Sequence, residues 1–239
     1  DTCTAVGRHF QNVLCVAGCA SGKSVPPLAL PLLTGKPVLI VSFSKALMRS
    51  LERQIKDEWG PLKAAFMSSD YDAEKSRKLF KSREVDILCC LAEYFTDKQF
   101  KKVITTMAKE KDLAAVAIDE GDAAYRHRHW RTAYNDMITY LRTIPVPKLV
   151  FTATASTRLR RKIVSELLGM SASTKQGEGV HLHIQPPKRS DVFMAFKSCE
   201  NDKSRLHAIV QLYRKGAEFH GSPTRTPHDK PFRSLCFVR

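Results

Sequence analysis

The 239-residue chain is 43% apolar and 26% charged, the balance of a globular protein that buries its own core without disulfides or structural metal. Its 39 Lys and Arg against 24 Asp and Glu leave a net charge of +15, which points to a polyanionic partner, because basic surfaces bind phosphate backbones by releasing condensed counterions. No apolar run reaches the roughly 20 residues of a membrane span, and the odd set of seven cysteines without a Cys-x-x-Cys pair argues for reduced thiols, in a nucleus or otherwise a cytoplasm, and against a structural zinc.

In chain order, short apolar runs at residues 13–16, 38–41, 87–91, 114–118 and 149–151 are bounded by Gly, Pro or charge and read as buried strands. Between them lie helix-period segments. The clearest is 45–58, with Leu47, Met48, Leu51 and Ile55 at helical spacing. Buried strands alternating with helices predict an α/β fold, a parallel sheet flanked by helices, over residues 1–170. After Leu168-Gly169 the texture changes: residues 171–190 are rich in Ser, Gly, Gln, Pro and Lys, the composition of a linker. A second alternation begins at 191–239, with a strand at 192–196, a helix near 203–215 and a strand at 235–238. Two strands are too few for a finished domain, so this reads as the truncated start of a second lobe. The basic run 158–162 reads as a solvated helix face, and Cys89-Cys90 as core packing. The pairs His127/His129 and His181/His183 lack a third ligand at metal-site spacing.

Directly after the first strand stands Ala17-Gly18-Cys19-Ala20-Ser21-Gly22-Lys23-Ser24. A loop that leaves a strand and opens a helix turns backbone N–H groups toward a phosphate chain. In that arrangement Ala17, Gly18, Ala20, Ser21 and Gly22 cradle ATP, Lys23 reaches its β- and γ-phosphates, and the Ser24 hydroxyl holds Mg²⁺. Pro26 and Pro27 fall in the first helical turn, where N–H groups lack partners anyway. About 95 residues on, the strand Ala115-Val116-Ala117-Ile118 ends in Asp119-Glu120. Asp119 is placed to coordinate Mg²⁺ through water, and Glu120 to orient and deprotonate the attacking water.

Val116–Glu120 with Gly121-Asp122 resembles the DEAH box of the RecQ-family DNA helicases, and residues 125–134 resemble that family's aromatic-rich loop, with Trp130, Arg131 and Tyr134 at its aromatic, arginine and tyrosine positions. Phe151-Thr152-Ala153-Thr154-Ala155-Ser156 is similar to motif III, residues 41–48 to motif Ia, and Ala92-Glu93 stands at the family's Thr-Pro-Glu. Residues 189–193 and 235–239 resemble the opening and motif IV strand of a second RecA-like lobe. The resemblance implies a RecA-like P-loop NTPase lobe that couples ATP hydrolysis to 3′–5′ movement along DNA. It also implies DNA contacts from Ser44 and Lys45 of motif Ia and from Arg126, Arg128, Trp130, Arg131 and Tyr134. Trp130 would stack on a base of a single strand or fork while the arginines neutralise phosphates. Asp122, Thr152 and Thr154 would couple the nucleotide to the strand. Gly121-Asp122 replace the family's Ala-His, which puts that coupling in question, and the motifs carrying the adenine-reading glutamine and the arginine finger are absent from these residues. Two other readings fit the same motifs: a catalytically inactive nucleic-acid-binding remnant, and an RNA helicase of the DEAD or DEAH groups.

Overall fold

The computed structural model describes residues 12–18, 21–127, 131–169 and 180–185, together with residues 204, 207 and 211. The chain divides into two units, 1–188 and 189–239. In the second, Ser204, His207 and Gln211 are helical, within the helix expected near 203–215; the strands expected at 192–196 and 235–238 lie outside the described residues.

The first unit is a seven-stranded sheet in which every pairing is parallel. Its strands are β1 (Asn12–Val16), β2 (Val38–Ser42), β3 (Ala64–Met67), β4 (Ile87–Leu91), β5 (Ala115–Ile118), β6 (Lys148–Thr152) and β7 (Val180–Ile184), in the order β3-β4-β2-β5-β6-β1-β7. Along each central strand successive side chains enter opposite cores. Leu39, Val41, Val116, Ile118 and Val150 pack with Phe80, Phe100, Ile104, Met137 and Leu141 on one face. Val38, Ile40, Ala115, Ala117, Leu149 and Phe151 pack with Leu28, Leu30, Met48 and Ile55 on the other. Burial on both faces is why these strands read as unbroken apolar runs.

The helices are α1 (Val25–Thr34), α2 (Lys45–Glu58), α3 (Ala73–Lys81), α4 (Lys98–Lys109), a short α5 (Ala123–Arg126), α6 (Thr132–Thr143) and α7 (Thr157–Lys162), with a 3₁₀ turn at Ala92–Thr96. Side-chain oxygens of Ser44, Asp72, Asp97 and Ser156 cap α2, α3, α4 and α7 by accepting from backbone N–H groups of the first turn. In α1 the prolines Pro26 and Pro27 do occupy the first turn, Pro31 lies inside the helix, and Gly35 ends it at φ +65°.

Two strands depart from the expectation. β3 is four residues long and holds two alanines, too little apolar character for its pattern to register. β7 lies within the stretch read as a linker and pairs with β1 from Asn12↔Val180 to Val16↔Ile184. Its outer residues Leu182 and Ile184 are exposed, so its strand state comes from pairing with β1 and not from a buried apolar face. Among the described residues no helix is long and apolar enough to cross a membrane.

Candidate functional site

All seven strands point the same way, so the loops that follow β1, β2, β4, β5 and β6 open onto one edge of the sheet, where α/β proteins bind ligands. After β1, Gly18 and Gly22 frame the phosphate-type loop. Gly22 sits at φ +78°, a conformation that side-chain-bearing residues rarely hold. Nothing lies within 4 Å of a Cβ built on Gly18, so its glycine character leaves open space beside the backbone. The Lys23 ammonium donates to the carbonyls of Gly18 (2.7 Å) and Ala17 (3.1 Å), which holds its charge beside the residues that leave β1. Ser24 is the N-cap residue of α1, yet unlike the caps of α2, α3, α4 and α7 its side chain makes no capping bond. Its hydroxyl therefore does not cap the helix it opens. Ala20 lies outside the described residues.

After β5 the box turns sharply. The Glu120 N–H donates to Asp119 Oδ1 at 3.0 Å, and Glu120 takes φ +50°, a left-handed conformation that costs a non-glycine residue on the order of 1 kcal/mol or more and clusters at functional sites. Burial raises Asp119 above the usual carboxylate range, opposed by the Glu120 N–H and by the charge of Lys23. Burial also raises Glu120, reinforced by Asp119 and Asp122 and opposed by Lys23 and Arg126. Lys23, Asp119 and Glu120, nearly a hundred residues apart in sequence, thus share one electrostatic neighbourhood.

The two departures from the DEAH pattern have physical reasons. A Cβ on Gly121 would stand 2.4 Å from Val150 Cγ1 of the neighbouring β6, while the Gly121 N–H donates to the Phe151 carbonyl at 2.8 Å. Alanine does not fit there without movement of Val150. Asp122 is fully buried. It accepts hydrogen bonds from the hydroxyls of Thr152 (2.7 Å) and Thr154 (2.8 Å) and forms an ion pair with Arg126 one helical turn on. Arg126 also donates to Thr154 Oγ1 at 3.3 Å. The three residues expected to couple the site are therefore in direct contact, with both threonine hydroxyls donating to the Asp122 carboxylate.

The strand-facing candidates are arranged differently. Ser44 caps α2 through its Oγ, which accepts from Leu47 N–H. Lys45 is ion-paired with Asp70 at 2.8 Å and hydrogen-bonded to Ser69. Asp70 also holds Arg49 at 2.7 Å, and the two cations pull its carboxyl down to about 2. Arg131 Nη1 donates to Glu93 Oε1 and to the Tyr134 hydroxyl, each at 2.8 Å.

Tyr134, expected among the DNA contacts, is only 1% exposed, and its ring meets that of Phe43 edge-on at 5.0 Å, so it packs in the core. The apolar spacing Ala133, Tyr134, Met137, Ile138 and Leu141, all buried on α6, is the sequence signal that places it there. Arg128 and Trp130 lie outside the described residues. Sequence reasoning misses Asp70 as the partner of Lys45, since nothing local marks it. Cys89 and Cys90 are fully buried core residues. Among the described residues no group of three His, Cys, Asp or Glu side chains could hold a metal ion.

A family model described as DEAD/DEAH box helicase matches residues 2–162. Among solved structures, the Mycobacterium smegmatis helicase Lhr bound to ssDNA and AMP-PNP is similar at a TM-score of 0.56 and 16% identity, over 89% of this chain and 30% of that one. The Pyrococcus furiosus Hef helicase domain is similar at 0.53 and 16% identity, over 77% of this chain and 37% of that one. At that identity they establish a shared fold, and the chain spans about a third of each. A comparison with curated proteins gave no match.

Proposed function

The chain belongs to the DEAD/DEAH box helicase family, and from that premise we propose that its first unit is the ATP-binding lobe of a RecQ-type DNA helicase. The observation that carries the reading is the meeting of Lys23, Asp119 and Glu120 at the carboxyl ends of β1 and β5, with Asp122 leading from that box to Thr152, Thr154 and Arg126.

The residues fit ATP and Mg²⁺. The Ser24 hydroxyl, which makes no capping bond, and the Asp119 carboxylate are the hard oxygen donors that Mg²⁺ prefers. Mg²⁺, when bound, supplies charge that offsets the phosphates. The loop N–H groups and the start of α1 bind the phosphate chain, and Lys23, which donates to its own loop carbonyls, has its ammonium placed to donate to the phosphates instead. Glu120, raised by burial, is the better base for it, and takes the proton from a water directed at the γ-phosphoryl group. Asp122 holds Thr152 of β6 and Thr154 just beyond it against the box, so a movement of Glu120 is transmitted to Arg126.

A second reading rests on one residue. The box Asp119-Glu120-Gly121-Asp122 ends in an acid, as a DEAD box does, and that acid is engaged by Thr152 and Thr154; this favours an RNA substrate. Fluorescence anisotropy with labelled single-stranded DNA and RNA of one sequence separates the two. The DNA reading expects DNA to bind at least as tightly, without sequence preference, and with log K falling by about 0.7 per phosphate contact per decade of salt. Tighter RNA binding selects the second reading. Binding of neither strand contradicts both.

A further inference from the structure

Three cations expected to face the nucleic acid are each paired with a carboxylate: Lys45 with Asp70, Arg126 with Asp122, and Arg131 with Glu93. The three pairs are not equivalent. Asp122 is fully buried and already accepts two hydroxyls, so no phosphate reaches its place. Asp70 is shared between Lys45 and Arg49, and releasing one cation leaves it paired with the other. Glu93 holds Arg131 alone among the described residues, and both partners are about half exposed, at 45% and 52%.

We propose that Glu93 is a built-in competitor for Arg131 on the nucleic-acid face, so that a strand gains this arginine only by displacing the chain's own carboxylate. The proposal rests on the nucleic-acid reading above. Carboxylate and phosphate oxygens accept from the guanidinium fork in the same geometry, and a half-exposed pair is weak enough to exchange. Buried neighbours anchor both partners. Glu93 lies in the turn Ala92–Thr96 beside Ala92 and Phe95, both fully buried. Arg131 is held from behind by the Tyr134 hydroxyl and lies 5.6 Å from the centre of that ring, while Tyr134 is fixed against Phe43. When Glu93 lets go, Arg131 therefore keeps its position and gains a free Nη1 donor. While the pair is closed it carries no net charge and adds nothing to the attraction of phosphate.

Salt titrations of single-strand binding by the full chain test this. Glu93→Gln exposes one further positive charge, so the slope of log K against log salt should steepen by about 0.7, which is about fivefold tighter binding at 0.1 M salt and no advantage near 1 M. Arg131→Gln should weaken binding, and adding Glu93→Gln to it should restore nothing. Unchanged or weaker binding by Glu93→Gln, with Arg131→Gln still impaired, overturns the competitor role and leaves the nucleic-acid reading standing. A gain from Glu93→Gln that survives in the Arg131→Gln background also overturns it, because the effect would then be general charge. Failure of the unsubstituted chain to bind any strand overturns both.

Discussion

The nucleotide-side acids after β5 and the strand-facing ion pairs use charge in opposite ways. In the first group, Asp119 and Glu120 are partly buried near Lys23, and burial raises both. In the second, Lys45 and Arg49 share Asp70, Arg131 holds Glu93, and these side chains are more exposed. Acids raised by burial are poised to meet a cation and a proton. Exposed pairs exchange their partners at little cost. The first group is built for chemistry on a phosphate chain and the second for reversible grip.

That contrast predicts unequal sensitivity to substitution. Asp122→Ala should have the largest effect on stability, about 2–3 kcal/mol in chemical denaturation, because it leaves the buried Thr152 hydroxyl without its acceptor and also removes the acceptor of Thr154 and Arg126. A loss as small as that of an exposed pair such as Lys45–Asp70 would erase the distinction between the two groups. Gly121→Ala should cost about 1–3 kcal/mol through its collision with Val150, and Val150→Ala in the same chain should recover most of that; no recovery would place the cost elsewhere.

The opposite end of the sheet offers a smaller effect of opposite sign. Lys148, at the start of β6, is buried, and among the described residues its ammonium donates only to the Ile144 carbonyl, at 2.8 Å. Burial lowers its pKa from 10.5 to about 8. Below about pH 8 both folded and unfolded chains carry its charge, and the folded state bears the full desolvation penalty. Between about pH 8 and 10.5 the unfolded chain binds the extra proton, so stability rises with pH through that window. A tenfold change in proton affinity is worth about 1.4 kcal/mol. Lys148→Met should therefore stabilise the fold by about 1–3 kcal/mol at pH 7 and remove the rise. Denaturant titrations at pH 7 and pH 10 measure both.

Much of this architecture is legible in the sequence. The five central strands can be read because burial on both faces writes them as apolar runs, and the two nucleotide motifs because each is contiguous. β3 and β7 are not legible: they are edge strands, one too short and the other exposed on its outer residues, and pairing decides them. The partnerships of Asp70 with Lys45 and Glu93 with Arg131 join residues 25 and 38 positions apart, and no local pattern announces them. Tyr134 is misplaced when a loop resemblance outweighs the helical spacing of its buried neighbours. Gly121 reads as decay of the box until Val150 is found beside it.

The central claim, that the carboxyl ends of β1 and β5 form an ATP site, is tested most directly by titration calorimetry of ATP with Mg²⁺ into the unsubstituted chain and into Lys23→Ala. The loss of one charge-assisted contact to phosphate, about 1.5–3 kcal/mol, predicts binding roughly 10- to 100-fold weaker in the variant. Equal affinity in the two proteins, or no binding by either, would contradict it.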